Sequence, residues 1–227
     1  MRLVLIRHGQ SPSNVLGLLD TEPPGPGLTA LGTEQAAGVP HRVAAEPIEA
    51  IYASTATRAQ HTAMPLAASL GIDVVIRAGL REMAAGDWEM RGDDESVRSY
   101  LGLIGSAMAG SPDDRSPGVN GESGREVLQR FDDVIQEILD TGVACAAVFA
   151  HGAANRLWAS VRAGNLADDF GATHGLGNTG IVVLSGDQQR GWTALSWSDA
   201  DLDAQTGAGG LDGHLVDDDP FNEVIRS

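Results

Sequence analysis

Two short apolar runs in this chain end in the same dipeptide. Arg2-Leu3-Val4-Leu5-Ile6 leads into Arg7-His8-Gly9, and the run over residues 143–150 leads into His151-Gly152. Runs this short and this continuous read as strands buried on both faces, which demand helices above and below their sheet. The segments between them supply those helices. Residues 28–46 read as a helix with Thr29 as N-cap, and Pro40 is expected to kink or interrupt it. Residues 48–53 follow as a strand, 57–70 as a helix closed by Gly71, and 72–77 as a third strand. Ser123 and Glu126 form a capping-box pattern, after which Val127, Phe131, Val134, Ile135 and Ile138 recur at helical spacing. Residues 151–163 read as a helix, and 179–185 and 192–197 as the last strands. This alternation predicts an α/β fold: a three-layer α/β/α sandwich with a largely parallel sheet. A length of 227 residues suits a single domain spanning 1–227. Residues 86–121 are less regular, with one helix around 95–109, and read as a lid-like insertion. The tail over 199–227 is rich in Asp and is expected to be solvated and partly irregular.

Charge narrows the function classes. The net charge is −16, and all fifteen basic residues are Arg. A surface this acidic argues against nucleic acid and anionic membranes as partners. The absence of Lys excludes Schiff-base chemistry and a lysine-dependent phosphate loop. The single Cys145 excludes an intramolecular disulfide and a multi-Cys zinc site. No stretch reaches the roughly 18 apolar residues of a membrane span, and the first apolar run is too short for a secretory signal. The expectation is a cytoplasmic protein, with a homodimer as the default assembly.

His8 and His151 carry the chemical signal. In open α/β sheets ligands bind beyond the carboxyl ends of the strands. If the two strands are parallel neighbours, imidazoles 143 positions apart meet at one mouth. The glycine after each histidine would let backbone approach a ligand. Arg7 and Arg58 could supply planar forks for phosphate oxygens. On spacing alone this shared anion site stands beside the plainer reading of two unrelated structural histidines.

A resemblance separates the two. Arg7-His8-Gly9-Gln10-Ser11-Pro12-Ser13-Asn14 resembles the R-H-G-x-[T/S]-x-x-N signature of the histidine phosphatase superfamily, whose fold is phosphoglycerate-mutase-like. Further matches follow in the family's order. Leu28-Thr29 through Gly32 to Gln35-Ala36 resembles its L-T-x-x-G-x-x-Q-A helix start. Ser54 with Arg58-Ala59 and Thr62-Ala63 resembles S-x-x-x-R-A-x-x-T-A, and Leu80-Arg81-Glu82 with Gly86-Asp87-Trp88-Glu89 resembles L-x-E-x-x-x-G-x-W-E. Gly121-Glu122-Ser123 matches G-E-S, and His151-Gly152 with Arg156 resembles the second-histidine motif. The sequence departs from the pattern at Met90, where glycine is common, and at Ala153-Ala154-Asn155.

The resemblance implies roles residue by residue. His8 would take the phosphoryl group, while Arg7, Arg58 and His151 would line the phosphate pocket with Gly152. Ser11 and Asn14 would contact the phosphate or its loop. Glu82 would give a proton to the leaving oxygen and then serve as base for water, with Glu89 and Glu122 as competitors. No metal and no cofactor are implied. The implied activity is a metal-independent phosphomonoesterase acting on a small phosphorylated metabolite. A cofactor-dependent phosphoglycerate mutase and a catalytically inactive binding module of the same fold are the alternatives. Arg91, Arg98 and Arg115 in the insertion are outweighed by neighbouring acids, which favours the phosphatase branch.

Overall fold

The computed structural model describes residues 1–187, 189–198 and 200–202. In chain order, β1 (Arg2–Arg7) is followed by α1 (Pro12–Val15), α2 (Ala30–Arg42), β2 (Ala50–Ala53), α3 (Thr57–Leu70) and β3 (Val74–Ile76). Then come α4 (Asp94–Met108), α5 (Gly124–Asp140), β4 (Cys145–Ala150), α6 (Gly152–Arg162) and α7 (Phe170–Thr173). The antiparallel run β5 (Ile181–Asp187), β6 (Gly191–Trp197) and β7 (Ala200–Asp201) closes the described chain. These strands form one sheet in the order β3-β2-β4-β1-β5-β6-β7. Strands β1 to β4 are parallel, as expected. The sheet as a whole is mixed, because β5 runs antiparallel to β1 and β6 and β7 continue that sense.

Local signals explain several element ends. Thr29 caps α2 by accepting from the Gly32 N–H, and Ser123 and Glu126 complete a reciprocal capping box on α5. Such caps contribute about 1 kcal/mol each. Gly71 ends α3 at φ 67°, a left-handed conformation glycine adopts without strain. Pro40 is accommodated inside α2, near the end of the helix. The polar turn after His8 contains the short helix α1, held by a second reciprocal box between Ser11 and Asn14. Part of the supposed irregular tail is also ordered: β7 pairs with β6, and Leu202 is buried with its N–H bonded to the Leu195 carbonyl. The rest of that tail lies outside the described residues.

Each face of the sheet carries its own apolar cluster. Val4, Ile6, Ile51, Ala147 and Phe149 face one side with Val39, Ala63 and Leu66 of α2 and α3. Leu3, Leu5, Ala146 and Val148 face the other, against α4, α5 and α6. Alternation along β1 and β4 thus serves both layers. The α5 stripe of Val127, Phe131, Val134, Ile135 and Ile138 is fully on this second side, and Phe131 stacks on Trp158 at 5.4 Å. Burying such a side chain contributes about 1.5–3 kcal/mol. Residues 86–121 join the same core through Val97, Tyr100, Ile104, Ala107 and Met108 of α4.

Candidate active site

Strand order builds the site. β4 lies between β2 and β1, so Ser54, His151 and His8 follow the ends of three adjacent parallel strands. Arg7 is in register with Ala150, and the His8 N–H continues the ladder by donating to the Ala150 carbonyl at 3.1 Å. The two imidazoles therefore meet edge to face, 5.3 Å between centroids.

A cleft opens over these strand ends. Its walls include Arg7, His8, Ser11, Asn14, Arg58, Glu82 and Gly152, seven of the eight residues singled out from the sequence. His151, 1% exposed, is not among the lining side chains but meets the His8 ring edge on.

His8 is held in one tautomer. Its Nδ1 is 2.7 Å from the Gly9 carbonyl, which can only accept, so Nδ1 carries the proton. Nε2 then has its lone pair free to accept, and Arg58 Nε–H donates to it at 3.2 Å. The imidazole stays neutral well below its ordinary value of 6.5. Burial is the main cause, followed by the charges of Arg58 and Arg7, with the Gly9 bond acting the other way. His151 is lowered likewise, by burial first and then by Arg58, His8, Arg130 and Arg7. Its Nε2 is 2.8 Å from Ser54 Oγ, and that oxygen accepts from the Ala56 N–H. Its buried Nδ1 has no hydrogen-bond partner among the described residues.

The arginines are placed by carbonyls. Arg7 donates to the Leu176 carbonyl at 2.7 Å, and Arg58 Nη2 donates to that of Asp20 at 2.7 Å. Gly152 serves Arg7: a Cβ there would sit 3.1 Å from Arg7 Nε. Gly9 is needed because α2 comes close, a Cβ lying 2.6 Å from the Gly32 carbonyl oxygen. Its N–H is already given to Thr62 Oγ1 at 2.9 Å. Gly9 thus makes room for protein rather than for a ligand, whereas Gly152 both abuts Arg7 and lines the cleft. Ser11 and Asn14 line the cleft while capping α1. Asn14 Oδ1 accepts from the Ser11 N–H at 3.0 Å.

The three candidate carboxylates sit in different places. Glu82 reaches the N-terminus of α6 and accepts from the N–H groups of Ala153 (3.0 Å), Ala154 (2.8 Å) and Met83 (2.9 Å). Glu89 is tied to the loop opposite, accepting from the Thr21 hydroxyl and from the N–H groups of Thr21 and Glu22. Glu122 is buried between Arg81 and Arg130, each donating at 2.8 Å, and also receives the Ala84 N–H. Of the three, Glu82 alone lines the His8 cleft.

Several cleft residues escaped the sequence reading. Asp20, Thr21, Leu101 and Leu176 line it with no local motif to announce them, and Tyr100 of α4 lines it with them. Tyr100 is fully buried and keeps its proton, its ionisation raised well above 10 by burial and then by Glu82, Glu122 and Glu89. It donates to the Met83 carbonyl at 2.7 Å and so steadies the Glu82 turn. Asn178 donates its side-chain N–H to the His8 carbonyl at 3.1 Å. Among the described residues, no three His, Cys, Asp or Glu side chains are grouped to hold a metal ion, and no helix is long and apolar enough to cross a membrane.

A neutral, single-tautomer imidazole beside guanidinium groups at the mouth of an α/β sheet is an arrangement chemically able to hold an oxyanion. Comparison with known proteins gives the family. The chain belongs to the histidine phosphatase superfamily (branch 1), whose family model matches residues 3–200. It is 30% identical over 197 residues to the glucosyl-3-phosphoglycerate phosphatase of Mycolicibacterium vanbaalenii, covering 82% of this chain and 84% of that one. It is 35% identical over 207 residues to a PE-PGRS family protein of Mycobacterium tuberculosis, covering 85% of this chain but 35% of that protein. The adenosylcobalamin/alpha-ribazole phosphatase of Escherichia coli is 42% identical over 91 residues, 40% of this chain and 44% of that one. The chain thus spans well under two thirds of some relatives it matches. Among solved structures, the alpha-ribazole phosphatase of Shigella flexneri superposes with a TM-score of 0.69 at 26% identity, covering 87% of this chain and 96% of that one. A mycobacterial glucosyl-3-phosphoglycerate phosphatase gives 0.72 at 24% identity, covering 87% and 98%, a likeness of fold.

Proposed function

We propose that this chain is a metal-independent phosphomonoesterase that passes the phosphoryl group of a small phosphorylated metabolite through His8 to water. The observation that carries the reading is His8 itself: Nδ1–H is fixed on the Gly9 carbonyl, and Nε2 faces the cleft beside Arg58. A neutral imidazole is a nucleophile at physiological pH. Its Nε2 attacks phosphorus as the ester P–O bond breaks, and Glu82 delivers a proton to the departing oxygen. Water then attacks the phosphohistidine, Glu82 takes the proton from that water, and the N–P bond breaks to free phosphate. Arg7 and Arg58 supply the positive charge that phosphoryl transfer requires. Gly152 keeps Arg7 in place, and Ser11 and Asn14 hold the loop that carries His8. His151 meets His8 edge on, and its Nδ1–H is the donor left for a phosphoryl oxygen once Ser54 holds Nε2.

The mutase reading has relatives too, such as a probable phosphoglycerate mutase of Cronobacter sakazakii, 33% identical over 140 residues, 62% of this chain and 64% of that one. A second phosphate would need cations in residues 86–121. There Arg91 pairs with Asp93, Arg98 with Asp94 and Arg115 with Glu126. Hydrolysis is favoured for that reason, and water rather than a second acid accepts the phosphoryl group. The binding-module reading is disfavoured because His8 and Glu82 share one cleft.

The test is hydrolysis of an aryl phosphate in excess chelator, with rapid quenching to trap label on the peptide carrying His8. Loss of activity to the chelator, restored by a divalent metal, would overturn the metal-free scheme. Label on serine or on His151 would overturn the assignment of His8. Isomerisation of 3-phosphoglycerate with a bisphosphate primer, outpacing its hydrolysis, would establish the mutase instead.

A further inference from the structure

One buried acid in the cleft has no part in the scheme above. Asp20 lines the same cleft as His8 and Arg58, and its side chain is 7% exposed. Both ends of the residue engage Arg58. The backbone carbonyl accepts from Nη2 at 2.7 Å, and carboxylate Oδ1 lies 3.8 Å from Nη1. Oδ2 accepts from Ser13 Oγ at 2.5 Å, which fixes the carboxylate in place. Arg58 Nη1 is itself buried and makes no hydrogen bond among the described residues. Gly25, at φ +57°, closes the other side: a Cβ there would come 2.6 Å from Arg58 Nη1 and 3.2 Å from Asp20 Oδ1. The turn after Asp20 is therefore shaped around this guanidinium–carboxylate contact.

A fixed negative charge beside an oxyanion site repels the ligand the site is built to hold, the more so the higher the ligand's charge. Resting on the phosphomonoesterase reading, we propose that Asp20 is a positioning residue that also shares the Arg58 charge with the phosphoryl group. It keeps Arg58 Nε against His8 Nε2, and it weakens the hold on free phosphate so that product leaves. The effect is differential. Phosphate dianion concentrates charge on its oxygens, whereas the transferring group in a loose, metaphosphate-like transition state carries less. A group that weakens product binding more than transition-state binding favours turnover. Asp20 is thus the specificity determinant between a site that traps phosphate and one that releases it.

Calorimetric titration of the full chain with inorganic phosphate tests this. Asp20→Asn keeps the size and can still accept from Ser13 while removing the charge. We expect phosphate to bind about tenfold more tightly, about 1.4 kcal/mol, and orthovanadate to shift in the same direction. In turnover of an aryl phosphate, KM should fall and inhibition by added phosphate should sharpen by the same factor. If Asp20 merely props Arg58, the sign reverses: phosphate binding unchanged or weaker in Asp20→Asn overturns the proposal. Asp20→Ser must show the same tightening, so misfolding of one variant leaves the test standing. Absence of phosphate binding in wild type and both variants overturns it as well. Failure of wild type to hydrolyse any phosphomonoester would instead strike the functional reading, while calorimetry would still report the sign of the Asp20 effect.

Discussion

His8 and His151 occupy the same kind of position, one residue past the end of a buried parallel strand, yet the structure treats them differently. His8 lines the cleft, with Nδ1 committed to a carbonyl and Nε2 turned toward Arg58. His151 has Nε2 committed to Ser54 and Nδ1 without a hydrogen-bond partner among the described residues. Burial and the same arginines keep both neutral. What separates them is which ring nitrogen the neighbouring backbone and hydroxyl have claimed, and which ring faces outward. Under the proposed mechanism, equivalent positions in a sheet thus yield a nucleophile and a supporting group.

The sharpest way to break this comparison is to remove each ring in turn. Under the proposed mechanism His8→Ala loses the bond-forming atom, and turnover should fall by about 10⁴-fold or more. Phosphoenzyme should vanish from rapid-quench samples. Residual activity within about tenfold of wild type would mean that water attacks directly and that His8 is no nucleophile.

Glu82→Gln should come next, and it depends on the ester. Gln keeps the size and can accept hydrogen bonds from Ala153 and Ala154 but cannot transfer a proton. An alkyl ester leaves as a basic alkoxide and should slow by about 10²–10⁴-fold; a nitrophenyl ester should slow far less if transfer to His8 limits its rate. Equal slowing of both esters, accompanied by a burst of phenol, would place the limiting step at water attack instead. Leaving-group dependence appearing in Glu89→Gln rather than Glu82→Gln would move the acid to the opposite loop.

How much of this was visible in the sequence follows from what is encoded locally. The capping box at Ser123, the Gly71 stop and the two His-Gly strand ends depend on neighbours within a few residues, and all are read directly. Direction of pairing is not local. β5 has the same apolar pattern whether it runs with β1 or against it, so the pattern alone does not say which strands of a largely parallel sheet run antiparallel. α1 is too short for a periodic signal and exists through side-chain bonds between Ser11 and Asn14. The competition between Glu82, Glu89 and Glu122 could not be resolved without knowing that Arg81 and Arg130 already surround Glu122. Asp20 reaches the cleft only through loop placement, and no motif in the chain marks it.

His151→Ala should cost about 10²-fold in turnover, the size of losing one preorganised donor to a phosphoryl oxygen. Label on His8 should persist, because the nucleophile is intact. A loss as large as that of His8→Ala, with no label trapped, would erase the distinction between the two rings.

The shared electrostatics give a smaller effect, read as stability. Each imidazole is held below its ordinary value of 6.5 in the fold, so between those two values the unfolded chain binds a proton that the folded one refuses. Stability from this source is therefore fully present above 6.5 and declines as pH falls below it. Thermal unfolding followed from about pH 7 to about pH 5 should show a decline that is shallower in His8→Gln and in His151→Gln; each kcal/mol is about 2–4 °C in a domain of this size. A decline equally steep in both variants would assign it to carboxylates alone.

The smallest expected effect isolates what tells the rings apart. Ser54 is fully buried one residue past β2, and its hydroxyl meets His151 Nε2 at 2.8 Å while accepting from the Ala56 N–H. Ser54→Ala removes the group that reserves Nε2 and leaves Nδ1–H as the donor toward the phosphoryl group. The imidazole can then populate both tautomers, and only one presents a proton on the useful side. A two-way tautomer choice costs a factor of a few, so turnover should fall about three- to tenfold with the His8 label still forming. The loss should be largely absent in the His151→Ala background, because Ser54 acts through that ring; independent losses that multiply would show that it acts elsewhere. Ser54→Thr keeps the hydroxyl and should restore most of the rate wherever the added methyl is tolerated, with an unfolding temperature near wild type as the check. Restored stability without restored rate would place the role of Ser54 in packing and leave the tautomer of His151 set by some other contact.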